Sequence, residues 1–260
     1  MKIRSGLMLA AVAVFVGGCA SPPQKPLPLS PDAAGSQAGR IGVAMTALPK
    51  LDTQIPGAGC LLCLAFASSA NSALTDHAQT LPYEDLPRLK NKVADLLRKR
   101  GAAATVIDEE LNIKELPDVD TKEPNIARKN FAPLRQKYGI DKLLVIDITA
   151  LGFIRTYASY IPTSDPKGLL QGVGYLVNLK NNTYDWYLPV VVTKSADQNW
   201  DEPPKFPGLT NAYFQALEIG MDSFLKPFAG DAVAAVMSIP VNSPPAPATA
   251  VGALAPSGRQ

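Results

Sequence analysis

Apolar and polar positions recur along this chain with a period that changes, and each change marks an element. Residues 40–45 form a short apolar run of strand type, while residues 84–100 set Leu86, Leu89, Val93, Leu96 and Leu97 at helical spacing. Gly101 supplies the helix stop. Residues 104–108 read as a second strand. Residues 127–138 read as a second helix with Phe131, Leu134 and Tyr138 on one stripe and Gly139 after it, although Pro133 disturbs its first turns. Residues 142–151 follow, and Leu143-Leu144-Val145-Ile146-Asp147-Ile148 is nearly unbroken apolar, as expected of a strand covered on both faces. Strand, helix, strand, helix, strand predicts crossover units with right-handed connections.

The period then switches to two. Residues 172–180 place Val173, Tyr175, Val177 and Leu179 on one face, and residues 183–192 do the same with Tyr184, Trp186, Leu188 and Val190. Asn181-Asn182 between them can supply the positive φ angles of a tight turn. A closing helix over 211–226 sets Phe214, Leu217, Met221, Phe224 and Leu225 on one side, and Pro227 ends it. The expected fold is an α/β (α+β) sandwich, a mixed sheet with two crossover helices, a β-hairpin and a C-terminal helix.

Composition changes the picture at both ends. Lys2 and Arg4 precede an apolar stretch from Leu7 to Val16, the layout of a secretory signal and too short for the about 20 residues of a membrane span. That stretch ends in Val16-Gly17-Gly18-Cys19, which resembles the lipobox of bacterial lipoproteins. The resemblance implies cleavage before Cys19, diacylglycerol on its sulfur and an acylated new amino terminus, with two or three chains giving lasting anchorage. Ala20 and Ser21, with no Asp after the cysteine, imply the outer membrane by resemblance to the lipoprotein sorting rule. The expected layout is a signal peptide over 1–18, a lipid anchor and Pro-rich tether over 19–39, a single α/β periplasmic domain over 40–232 and a disordered Pro/Ala-rich tail over 233–260. Removing residues 1–18 takes away Lys2 and Arg4 and no acid, so 25 basic residues become 23 against 23 acidic. A neutral body argues against a nucleic-acid partner, whose phosphates call for clustered Lys and Arg.

The lipobox, the Pro-rich segment and the order of elements carry a further likeness. The helix ending Phe131 to Tyr138 leads through Gly139-Ile140-Asp141 into Leu143-Leu144-Val145-Ile146, and the hairpin reads Tyr175-Leu176-Val177-Asn178-Leu179-Lys180-Asn181-Asn182-Thr183-Tyr184-Asp185-Trp186. This layout resembles envelope lipoproteins of the curli secretion lipoprotein and TolB amino-terminal domain group. Asn182 departs from that group's hairpin, which has Thr-Gly at the turn. The resemblance implies assembly factors, secretion-pore subunits or partners of envelope machines, seldom enzymes.

Candidate chemistry is sparse. His77 is the one histidine; Ser68, Ser69 and Ser72 lie near it in sequence, yet no G-x-S-x-G elbow and no phosphate-cradling G-x-x-x-x-G-K-[ST] is present. A surface or capping role is expected for it. Cys60-Leu61-Leu62-Cys63 is a C-x-x-C that, with His77, offers three weak metal candidates and lacks a fourth ligand. Its apolar neighbours disfavour a reactive thiolate, so buried thiols or a structural disulfide are expected. Asp108, Glu109 and Glu110 read as a solvated acidic run, and Arg88, Lys92, Lys99 and Arg100 as a solvated helix face.

Residues 57–70, GAGCLLCLAFASSA, hold eight apolar residues from Cys60 to Ala67. They pack on the sheet or start the first crossover helix, or else Leu61, Leu62, Leu64 and Phe66 form an exposed contact for lipid or another subunit. The expected function is a non-enzymatic, lipid-anchored interaction or assembly module, with no cofactor, bound to the membrane through lipidated Cys19 and to an envelope protein or itself. The expected location is the outer membrane, facing the periplasm. A ring-forming secretion pore is an alternative that needs two membrane-crossing hairpins where one is seen. A periplasmic thiol, metal or hydrolytic enzyme is a third.

Overall fold

The computed structural model describes residues 23–83 and 85–229. The signal peptide expected over 1–18, Cys19 and the tail expected over 233–260 lie outside the described residues. Five strands form one mixed sheet: β1 (Arg40–Met45), β3 (Ala103–Val106), β4 (Lys142–Ile154), β7 (Lys167–Asn178) and β8 (Thr183–Ser195), in the order β3-β1-β4-β7-β8. A sixth, β2 (Asp52–Gln54), pairs with the far end of β4. β1, β2 and β3 join by parallel pairings, while β4, β7 and β8 are antiparallel. Two short strands, β5 (Tyr157–Ala158) and β6 (Ile161–Pro162), make a separate hairpin between β4 and β7.

The helices are α1 (Leu61–Ala70), α2 (Ser72–Ala78), α3 (Leu89–Lys99), α4 (Pro133–Tyr138) and α5 (Pro207–Leu225). α3 buries Leu89, Val93, Ala94 and Leu97 on one sheet face beside α5. α4 and the segment preceding it cover the other, where Leu143 and Val145 of β4 meet Phe131, Leu134 and Tyr175. Alternate residues of β4, Leu144 and Ile146, face the first core. The continuous apolar run in β4 therefore reflects two covers, as expected of a strand buried on both faces. The fold is the mixed-sheet α/β arrangement expected, with the hairpin and the C-terminal helix in place.

Four local expectations are corrected. The second helix begins at Pro133, not residue 127, because proline fits a helix's first turn and cannot continue one already under way. α5 begins at Pro207, and it buries Tyr213 together with the expected Phe224, whereas Phe214 is exposed. Tyr184 and Trp186 face opposite cores, since Val177 pairs with Tyr184 and Leu176 with Trp186, leaving Asp185 as a bulge. Asp185 is then free to meet Lys142 at 2.7 Å.

The fourth concerns the tether expected over 19–39, of which the described part lies against the body. The Gln24 side chain donates to Asn125 Oδ1 and accepts from the Asn125 backbone N–H, Leu27 pairs through its backbone with Tyr187 of β8, and Ala33, Ala34 and Ala38 are buried in the main core. Proline holds the first part extended, and the alanines that pack follow it, in a 3-10 turn over Pro31–Ala33 and the bends after it.

Candidate functional site

The segment that joins β1 to α3 leaves the sheet at β2 and turns back at Gly57. Gly57 has φ +91°, and a Cβ there would fall 1.9 Å from the carbonyl oxygen of Tyr157, so only glycine permits this approach. The Tyr157 N–H donates to Pro56 at 2.8 Å and the Ser159 N–H to Gly57 at 3.2 Å. These bonds bind the start of α1 to the β5–β6 hairpin.

α1 opens at Cys60, whose sulfur accepts from the Cys63 N–H at 2.9 Å. A disulfide joins Cys60 and Cys63 and closes the first turn. The weak metal reading of Cys60, Cys63 and His77 is thereby corrected: bonded sulfurs carry no thiolate to ligate a cation. Among the described residues no three His, Cys, Asp or Glu side chains are grouped to hold a metal ion.

The side of α1 that packs is its small side. Cys63 and Ala67, four residues apart, are buried with Ala58 and Tyr157 in a satellite core. At the helix end, Asn71 is buried with all its polar atoms engaged: Nδ2 donates to the Ala67 carbonyl and the Tyr157 hydroxyl at 2.7 Å each, and Oδ1 accepts from Arg155 at 3.3 Å. A satisfied buried amide of this kind fixes one orientation of α1 on the hairpin.

The large side chains therefore point outward. Leu61 is 84% exposed, Leu62 71%, Phe66 56% and Leu64 45%, and the hairpin adds Ile161 at 68% and Tyr160 at 48%. Phe66 meets Tyr160 edge to face with centroids 6.2 Å apart, and the Tyr160 hydroxyl lies 3.7 Å from Cys60 Sγ, so the two elements form one surface. No charged residue occurs in 57–75 or in 156–164. The expectation that 57–70 either packs or is exposed resolves into both, small residues inward and large ones outward. The hairpin half of the patch was not expected; Tyr160 and Ile161 in an uncharged stretch were its only signal.

His77 is not a surface cap. It lies half-buried in the last turn of α2, stacked on Phe153, with Nε2 2.7 Å from Thr210 Oγ1. Burial, and then the charge of Lys205, hold its pKa below the ordinary histidine value. Its ring bonds no serine, cysteine or carboxylate among the described residues, and Ser68, Ser69 and Ser72 are exposed. The acidic run is partly engaged: Glu109 accepts from the Tyr138 hydroxyl and pairs with Lys137 at 2.9 Å.

A second concave region lies where residues 23–27 cross residues 121–128, with Tyr184 and Tyr187 behind them. Tyr184 is pushed up to about 12 by burial, and Tyr175 behind it well above the usual phenol value by burial and then by Asp147. These phenols stay neutral at physiological pH and serve packing.

No protein-family model matches the sequence, and no curated protein matches it. Among solved structures the chain is similar to the PelC dodecamer of Paraburkholderia phytofirmans, at 9% identity and TM-score 0.30, over 78% of this chain and 94% of that one. It is also similar to a Xanthomonas campestris protein, at 15% identity and TM-score 0.34, over 71% and 84% of the two chains. A lipoprotein of Neisseria meningitidis matches at 12% identity and TM-score 0.25, over 69% and 95%.

Proposed function

We propose that this chain is a lipid-anchored envelope protein, attached through Cys19 to the outer membrane and facing the periplasm, whose body is a docking module and not an enzyme. The observation that carries the reading is the α1–hairpin surface, where Leu61, Leu62, Phe66, Tyr160 and Ile161 stand exposed on a frame fixed by Asn71 and Gly57. Exposing side chains of this size forgoes about 1.5–3 kcal/mol apiece, which a partner's cover restores. The Val16-Gly17-Gly18-Cys19 sequence supports the anchor. The non-enzymatic reading draws support from the engagement of each chemical candidate, the two cysteines in a disulfide and His77 with Thr210. A pore is less favoured, because β7 is buried on both faces, with α5 against one.

One experiment addresses both parts. The wild-type chain, Cys19→Ser and Leu62→Asp are expressed in cells fed a labelled fatty acid, fractionated, and recovered by affinity from solubilised envelopes. Label is expected on the wild type and on Leu62→Asp but not on Cys19→Ser. Leu62→Asp should keep its melting temperature within about 1 °C and lose associated protein. Label that survives Cys19→Ser overturns the anchor, and unchanged association of Leu62→Asp overturns the docking surface.

A further inference from the structure

The first described residues, which follow Cys19 closely in sequence, and the apolar patch lie at opposite ends of the sheet. Gln24 and Asn125 sit beside Tyr184, at the end where Lys142 begins β4, because the Tyr184 N–H donates to the Asn125 carbonyl and Asn178 pairs with both Lys142 and Thr183. α1 and the β5–β6 hairpin follow Ile154, twelve residues further along β4. At about 3.3 Å per residue that is roughly 40 Å. Only four peptide steps separate Cys19 from Pro23, a reach of about 14 Å at most.

We infer that the α1–hairpin patch docks on the same patch of a second copy anchored in the same leaflet, α1 against α1 about a two-fold axis along the membrane normal. The inference rests on the anchored reading above. Copies tethered this shortly carry their patches at one common height, so lateral diffusion brings like surface to like surface. The patch is uncharged, so a two-fold axis through it sets no like charges against each other. It also lacks the Lys and Arg that draw interfacial helices to anionic headgroups, and reaching the leaflet would require the body to lie down along its whole length.

Area decides where the contact forms. Six large apolar side chains bury roughly 60–120 Å² each, about 500 Å² per copy, against the about 800 Å² per partner of a standard stable interface. Freely diffusing chains therefore associate weakly, and confinement to a leaflet supplies the effective concentration that the area lacks.

The test uses the full lipidated protein in native envelopes, with a photo-crosslinking amino acid at Ile161 or, as the control at the anchor end, at Asn181. The Ile161 probe should give a product of twice the chain's mass that joins two differently tagged copies, and the Asn181 probe should not. Leu62→Asp should cut that product about tenfold or more at unchanged melting temperature. The Cys19→Ser chain should sediment as a monomer at low micromolar concentration. Lipid labelling is read on the same samples, so an unlabelled chain sinks the anchor by itself. A labelled, membrane-bound chain whose Ile161 probe captures lipid, another protein or nothing overturns the dimer.

Discussion

Asn182 shows how one residue can serve two purposes. It takes φ 60° at the end of the β7–β8 turn, a conformation glycine would adopt more easily. Its side chain accepts from the Phe131 N–H at 2.9 Å and donates to the Ala127 and Lys129 carbonyls at 2.9 and 3.0 Å, holding the segment ahead of α4 against the hairpin. Asparagine thus stands where a turn alone would ask for glycine. Asn182→Gly keeps the backbone and loses three bonds, so it should cost about 2–3 kcal/mol. Asn182→Ala adds about 1–2 kcal/mol of left-handed strain. Thermal unfolding that ranks alanine above glycine in stability would refute this account. His77 gives a pH signature of its own. Its folded pKa is depressed, so just below 6.5 the unfolded chain binds more protons than the folded one. Its contribution to stability is therefore fullest above 6.5 and is lost as pH falls through the depressed folded value. His77→Gln should lose less melting temperature than wild type between about pH 7.5 and 5, and equal losses would remove His77 as the cause.

At the scale of elements, α1 inverts the usual arrangement of an amphipathic helix. Cys63 and Ala67 make its packed side, and the leucines and the phenylalanine lie outside. Two substitutions separate those sides. Ala67→Asp places a charge beneath Tyr157 and should cost roughly 3–5 kcal/mol locally, freeing residues 57–80 to proteolysis while the sheet persists. Leu62→Asp should leave the digestion pattern unchanged. Equal protection of both variants would show that the small side is not what holds the helix. This inversion leaves the packed side of the segment unmarked in its sequence. Spacing announces a helix when large apolar residues line the packed stripe, as Leu89, Val93 and Leu97 do in α3. In α1 apolar residues lie all round, so period could not say which would be covered. The bulge at Asp185 was illegible for a related reason, since one inserted residue flips every later side chain while the alternation in sequence continues. Likewise Tyr213 and Phe214 are adjacent aromatics, and the helix start at Pro207, not residue 211, lies behind the turn that buries the first of them.

At the scale of the whole molecule, the sheet core was legible because β1 is a short apolar run, β4 a long one and β7 alternates, and their hydrogen-bonded neighbours follow from crossover and hairpin rules. The edge of the domain was not. Proline-rich composition suggested a free tether over 19–39, yet Leu27 pairs with Tyr187 and Ala33, Ala34 and Ala38 sit in the main core. The described part of that stretch, from Pro23 on, therefore belongs to the packed body. This has a direct consequence for stability. A soluble chain starting at Pro23 should unfold in one transition, because the strap travels with the sheet. One starting at Arg40 loses the cover of three buried alanines and Leu29, on the order of 3 kcal/mol, and exposes core residues beneath them. At about 2–4 °C per kcal/mol for a domain of this size, its melting temperature should fall by about 6–12 °C. The bond from Lys142 Nζ to the Ala33 carbonyl disappears with the strap, and Lys142 keeps only Asp185. Adding back residues 23–39 as a separate peptide should recover part of the loss in a concentration-dependent way. Identical melting of the two chains would mean the strap merely rests on the body, and the tether would then be as long as the composition first suggested.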